Sequence, residues 1–275
     1  MKIGMNLLLW GTEINDSLFP VLEQIKSLGF DGVEVPIFNF NKPDWLIWRD
    51  KLDELGLERL AVAINGPDAN PLSSSPEMRK HALENNMKAI DCAEIIGAKY
   101  LSGPFHSALG VFSGKPATKE EWQYGIHHIR TLADYAAEKD ITLGVEYLNR
   151  FESYLFTCTD EMLRFVEEVN HPYCNIMFDT FHANIEEKNI ENAIKSCANH
   201  LIHVQLSEND RGTLGKGHID FESIIKTLVD INYQGMISIE AFSMKLAAAN
   251  IWRKTFDSEE QLMSDSLTYL KKFIH

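Results

Sequence analysis

No stretch of the sequence approaches 18 uncharged apolar residues, so a membrane-spanning helix is not expected. Cysteine is scarce: Cys92, Cys158, Cys174 and Cys197 are scattered and form no CxxC pair. They read as reduced, mostly buried thiols of a cytoplasmic protein. Basic residues are outnumbered, 26 Lys plus Arg against 40 Asp plus Glu, for a formal charge of −14. A general nucleic-acid binder would need a basic face to displace counterions, and that class is disfavoured. The opening MKIGMNLLLW runs directly into polar GTEIND without a small-residue cleavage site, so no signal peptide is expected. No GxGxxG or Walker pattern is present. No Pro- or Ser-rich linker divides the chain; PDANPLSSSPE (67–77) comes nearest and fits one long loop after a strand.

What is present is enough to build one large core. Hydrophobic residues make up 45% of the 275, with 15 Phe, 8 Tyr and 5 Trp, which rules out disorder. A chain this long buries roughly 75% of its unfolded surface. Short β-rich runs recur at 2–6, 32–36, 59–64, 99–104, 142–148, 175–180, 201–207 and 236–242. Longer stretches with helical spacing separate them, among them SLFPVLEQIKSLGF, PEMRKHALENNMKAIDCAEIIG, TKEEWQYGIHHIRTLADYAAEKD and DEMLRFVEEVN. Thr159 and Asp160 are candidate N-caps of the fifth helix, and Gly29 and Gly97 stand where a left-handed C-terminal residue is often needed. Eight strands alternating with eight helices imply a parallel sheet with crossover helices. The expected fold is α/β, a single (β/α)8 TIM barrel over residues 1–275. A doubly wound sheet would want a glycine-rich phosphate loop after the first strand, and NLLLWGTEI is not one.

Barrel chemistry collects at the C-terminal ends of the strands. There the last four strands carry Glu146, Asp179, His203 with Gln205, and Glu240, each inside an otherwise apolar pattern. An unpaired charge costs several kcal/mol to bury, so these residues need partners or a metal. Three carboxylates and one amide oxygen suit a hard divalent cation such as Mn²⁺ or Mg²⁺ better than Zn²⁺. His203 lies two residues before Gln205 on the same strand face and is the alternative ligand from that strand. Other features are weaker. LGKGH (214–218) reads as a plain turn rather than a phosphate site, and His127 with His128 reads as helix surface. His106 could line a pocket or make a loop hydrogen bond, and Trp10, Phe105 and Phe242 could form an apolar wall for a ligand.

The segments EYLNRFE, DTFHANIEE, HVQLSENDR and NYQG before ISIEAF resemble the sugar isomerase and epimerase barrels, the xylose isomerase-like family, typified by D-tagatose 3-epimerase and D-psicose 3-epimerase. MKIGMNLLLW, GFDGVEVP, GPFHSALG and IWRKTF extend the resemblance over nearly the whole chain. It implies one divalent metal, Mn²⁺ first and Mg²⁺ or Co²⁺ as alternatives, held by Glu146, Asp179, Gln205 and Glu240. It implies that Glu146 and Glu240 are also the catalytic proton carriers, and that Glu152, His182 and Arg211 bind substrate. Two departures concern the substrate: Gln205 stands where the 3-epimerases usually have histidine, and Asn6 where they tend to have tyrosine. The related hydroxypyruvate isomerases carry a glutamine at the former position.

The implied chemistry is removal of the proton beside a ketose carbonyl, with the metal stabilising the enediolate left behind. One glutamate is the base and the other returns a proton to the opposite face, inverting the carbon. Movement of the proton between neighbouring carbons would instead give an aldose–ketose or hydroxypyruvate-type isomerisation. Loss of water would give a dehydratase acting on a keto-inositol or dehydroshikimate-like substrate. Outside this class stand a non-catalytic sugar-binding barrel and a metal nuclease resembling endonuclease IV, the latter opposed by too few strand-end histidines and by the charge of −14. The expected partners are a small sugar, leaning to an unphosphorylated one, and further copies of the chain as a dimer or tetramer. No nucleic acid and no membrane are expected.

Overall fold

The computed structural model describes residues 1–274; residue 275, the last of the expected domain, lies outside it. Eight parallel strands close on themselves: β1 (Lys2–Asn6), β2 (Gly32–Pro36), β3 (Glu58–Val62), β4 (Tyr100–Gly103), β5 (Thr142–Glu146), β6 (Cys174–Asp179), β7 (Leu201–Ser207) and β8 (Met236–Glu240). β8 pairs with β1, so no edge is left open and the doubly wound alternative is excluded. The third, fifth and eighth strands end two residues earlier than their apolar patterns suggest. Tyr147, Leu148, Ala241 and Phe242 stay buried beyond the last ladder bonds, so apolar character outlasts the sheet.

The described residues form nine α-helices, one more than strict alternation implies: α1 (Phe19–Leu28), α2 (Lys42–Leu55), α3 (Pro76–Ile96), α4 (Lys119–Ala137), α5 (Thr159–Val169), α6 (Thr180–Glu186), α7 (Ile190–Ser196), α8 (Phe221–Asp230) and α9 (Glu259–Leu270). The extra element comes between β6 and β7. There Asn189 accepts from the Asn192 N–H at 2.7 Å and starts a new helix after α6 has ended. Gly29 and Gly97 take left-handed conformations, φ 93° and 78°, as helix C-caps. α5 begins one residue earlier than expected. Cys158 is its N-cap without a side-chain bond, and Thr159 and Asp160 lie inside the first turn, where an acidic residue favours the helix dipole.

The helices pack their apolar stripes against the barrel. On α2 this stripe is Trp45, Trp48 and Leu52, spaced three and four apart and fully buried. Between α4, α5 and the β5 loop, Phe156 and Phe165 pack with centroids 4.9 Å apart, and Trp122 meets Phe165 edge-on at 5.3 Å. This packing lies beside the loop that follows β5, at the C-terminal ends of the strands. Register then sets which of them are neighbours: Asp179 is level with Gln205, Ser207 with Glu240, and Asn6 with Glu34.

Candidate active site

A cavity of about 520 Å³ opens at the C-terminal ends of the strands, where function in this architecture collects. Glu146, Glu152, His182, Gln205, Arg211 and Glu240 line it. Asp179 sits just beneath, 1% exposed, so the structure brings Glu146, Glu152, Asp179, His182, Gln205, Arg211 and Glu240 together, whereas His203, the alternative ligand from β7, lies outside the cavity lining. The rest of the wall is largely apolar, with Leu8, Phe38, Phe242 and Leu246 at one side. Of the expected aromatic wall only Phe242 is there. Phe105 is 1% exposed in the core, and Trp10 packs against that core.

Each polar side chain is placed by its strand. Glu146, Asp179 and Glu240 are the last residues of β5, β6 and β8. Asp179 also caps α6, its Oδ1 accepting from the Phe181 N–H at 2.9 Å. Arg211 reaches in from the loop after β7, with its backbone in the left-handed region at φ 58°. Its Nη1 donates to Asp179 Oδ2 at 2.9 Å, to Ser207 Oγ at 2.9 Å and to Glu240 Oε2. Its guanidinium lies over the rings of Phe181 and Phe242, at 3.7 and 4.5 Å from their centroids.

The electrostatics are those of a crowded acidic site. Burial pushes the Glu146 carboxyl well above its usual range, and repulsion from Asp179 and Glu240 pushes it further. Glu240 is likewise raised well above its usual range by burial, against the pull of Arg211. Asp179 is raised for the same reason. Burial holds His182 well below its usual range, so the ring is neutral, with the Arg211 charge reinforcing this. Such displacement by burial and specific charges, in a cavity, marks a functional site.

When ionised, the buried carboxylates of Glu146, Asp179 and Glu240 set three negative charges against the one guanidinium of Arg211, which contacts Asp179 and Glu240, so two charges are left uncompensated. A divalent cation matches that deficit. A second observation agrees. Gln205 donates its Nε2 to Glu34 Oε2 at 2.9 Å, while its Oε1 is buried with no hydrogen-bond partner, a hard neutral oxygen free to ligate. The donor set therefore fits a hard metal ion.

Glu146, Asp179 and His182 also place one potential ligand atom each within 4.8 Å of one another. The hydrogen bonds of His182 argue for a different role. Its Nδ1 accepts from the Asn149 backbone N–H at 3.1 Å and from Asn149 Nδ2 at 2.9 Å. A neutral ring with Nδ1 as acceptor carries its proton on Nε2, the nitrogen 3.3 Å from Asp179 Oδ2. A proton there faces Asp179, with Arg211 Nη2 3.4 Å from the same nitrogen. Asn149 Nδ2 also donates to Glu152 Oε1 at 2.8 Å, tying the two polar groups of this wall together.

The strand-end reading missed Glu34 on β2, which is fully buried. Its carboxylate accepts from Asn6 Nδ2 at 2.9 Å and from Gln205 Nε2, and faces His203 Nε2 at 3.1 Å. The signal was available: GVEVP has a charge inside an apolar strand, as the last four strands do. His203 faces Glu34 with one ring nitrogen and the Met236 carbonyl with the other, at 3.2 Å, so both are engaged below the cavity.

The weaker features fall outside the site. His106 is fully buried and stacked on Phe156 at 4.0 Å, its pKa pushed down to about 3 by burial. His128 is buried beside Asn86, not on the helix surface as expected, because it lies on the inner face of α4 with Ile129 and Leu132. The 214–218 segment is a turn wrapped around an internal carboxylate: Glu208 accepts from the N–H groups of Gly215 and Ile219 at 3.1 and 3.2 Å. No helix among the described residues is long and apolar enough to cross a membrane.

The model of the xylose isomerase-like TIM barrel family matches residues 22–273. The chain is 30% identical to L-ribulose 3-epimerase from Methylomonas sp. (strain DH-1), over 89% of this chain and 87% of that protein. It is 30% identical to D-psicose 3-epimerase from Enterocloster bolteae, over 97% of this chain and 92% of that one. The crystal structure of D-allulose 3-epimerase from Methylomonas sp. superposes with a TM-score of 0.95 at 28% identity, covering 100% of this chain and 98% of that one. With a matching barrel, matching strand ends and relatives of nearly equal length, the chain belongs to the xylose isomerase-like TIM barrel family.

Proposed function

We propose that this protein is a metal-dependent ketose epimerase that inverts a carbon next to the carbonyl of an unphosphorylated sugar, acting as one catalytic domain. The observation that carries this is the pair Glu146 and Glu240. Both are buried, both line one cavity, and both have proton affinities raised by burial and neighbouring charge. A carboxyl raised towards neutral pH can accept and return a proton, and inversion needs one such group on each face of the carbon. The relatives named above are 3-epimerases, which supports C3 as the inverted centre.

Glu146, Asp179, Gln205 and Glu240 would hold the metal, with Mn²⁺ favoured by a set of three carboxylates and a neutral oxygen. When bound, the cation polarises the sugar carbonyl and lowers the cost of removing the neighbouring proton. One of Glu146 and Glu240 takes that proton and the other delivers one to the opposite face. His182 donates its Nε2 proton to a sugar oxygen, Glu152 accepts from a hydroxyl, and Arg211 neutralises the remaining charge and orients the substrate. Arg211 is the only cationic side chain lining the cavity among the described residues, and it is already engaged with two carboxylates. That supports a substrate without phosphate. The free thiols of all four cysteines support a cytoplasmic location, and the family resemblance supports a dimer or tetramer.

The test is a panel of free ketoses, keto-inositols and sugar phosphates with Mn²⁺ in deuterated water. Inversion at C3 of a free ketose, with solvent deuterium at that carbon, is the expected result. Aldose formation, loss of water or a requirement for a phosphate group would each replace this reading with another.

A further inference from the structure

We infer that Glu34 is a positioning residue that fixes which end of the Gln205 amide meets the metal; this rests on the ligand role proposed above for Gln205. A glutamine differs from the histidine or carboxylate that could stand at this strand end. Its two faces are opposite in character, and only the oxygen can ligate. Unless something holds the amide, half of its rotational choices present an N–H₂ group to the cation. Glu34 removes that choice. Its Oε2 accepts from Gln205 Nε2 at 2.9 Å, so a flipped amide would set its oxygen against the carboxylate. Glu34 is itself held on its other edges, by Asn6 Nδ2 at 2.9 Å and His203 Nε2 at 3.1 Å, and it is fully buried. Asn6 in turn is locked by accepting from the Leu8 N–H at 2.8 Å. The outcome is the unpartnered, buried Gln205 Oε1 at the cavity wall. Groups behind a ligand commonly change metal affinity by about 10- to 100-fold when removed.

The arrangement predicts how substitutions behave. Glu34→Gln can keep every bond. The new amide oxygen accepts from Gln205 and Asn6, and the new N–H₂ faces His203 Nε2, which becomes an acceptor when Nδ1–H donates to the Met236 carbonyl. Glu34→Leu keeps approximate volume but leaves Gln205 without its acceptor.

The experiment is titration of metal-stripped protein with Mn²⁺, following free Mn²⁺ by electron paramagnetic resonance, so that turnover plays no part. Glu34→Leu should weaken binding at least about tenfold, approaching Gln205→Leu, while Glu34→Gln stays within about threefold of the parent. Parent-like binding by Glu34→Leu, alongside weak binding by Gln205→Leu, would overturn the positioning role and leave the ligand role standing. Parent-like binding by Gln205→Leu would instead remove the ligand role itself. If Glu34→Leu does not fold, Glu34→Ala decides: it removes the acceptor of Gln205 without adding bulk and should weaken Mn²⁺ binding at least about tenfold. Parent-like Mn²⁺ binding by a folded Glu34→Ala variant, alongside weak binding by Gln205→Leu, would also overturn the proposal.

Discussion

Arg211 Nη1 donates to Asp179 Oδ2 at 2.9 Å, with both side chains almost completely buried. Removing one member of a buried pair costs about 3–5 kcal/mol because the other charge is left uncompensated. Arg211→Ala should therefore lower the melting temperature of the chelated protein markedly. Added Mn²⁺ should recover much of that loss, since a divalent cation takes over the neutralisation of Asp179 and Glu240. Melting curves in chelator and in Mn²⁺ check this, and equal losses in both would show that arginine and metal do not share these carboxylates.

Glu146→Gln and Glu240→Gln should each fold and lose about 10²- to 10⁴-fold in turnover, the usual worth of a general base. Exchange of the substrate proton with deuterated water should fall with it. Wild-type turnover in either variant, with metal present, would rule out proton transfer by the pair.

His182→Ala separates a hydrogen-bond donor from a metal ligand. With Nδ1 engaged by Asn149, His182 offers the substrate an N–H. The variant should keep about one metal per chain by elemental analysis while KM rises or turnover drops. A clear fall in metal content would place His182 among the ligands instead.

The raised carboxyls make a pH prediction with a definite sign. Glu146, Asp179 and Glu240 hold protons more tightly folded than unfolded, chiefly because they are buried. Their contribution to stability is full below their ordinary range near 4 and is lost as pH rises through the raised folded values. The metal-free protein should accordingly lose stability as pH climbs from about 4 towards neutrality. Mn²⁺, which needs these groups ionised, should bind more tightly over the same interval. Chemical denaturation in chelator and metal titrations across that pH range measure both slopes.

Gln205→His should still bind metal, because Glu34 remains as an acceptor for the ring N–H of the new histidine. Nitrogen in place of neutral oxygen should move the preference towards Co²⁺ and Ni²⁺. Competition between Mn²⁺ and Co²⁺ on parent and variant reads this directly, and an unchanged ratio would mean that position 205 does not touch the metal.

The alternation of apolar strand runs with helical spacing was enough to count eight strands, and eight parallel strands with crossovers have one way to close. Their polar ends are legible too, because a charge or an amide inside an apolar run stands out wherever it falls, as Glu146, Asp179, Gln205 and Glu240 do. Local pattern could not say what those charges do to one another. That Arg211 lies between Asp179 and Glu240, that Asn149 sets the His182 tautomer, and that Glu34, level with Asn6 in the ladder, reaches across the barrel to Gln205 are contacts between residues 29 to 171 positions apart. Helix-surface histidines and buried ones also read alike in sequence, which is how His128 was misplaced. Residue type and period fix what a strand presents at its end, whereas the register of eight strands around a closed barrel decides which of those ends meet.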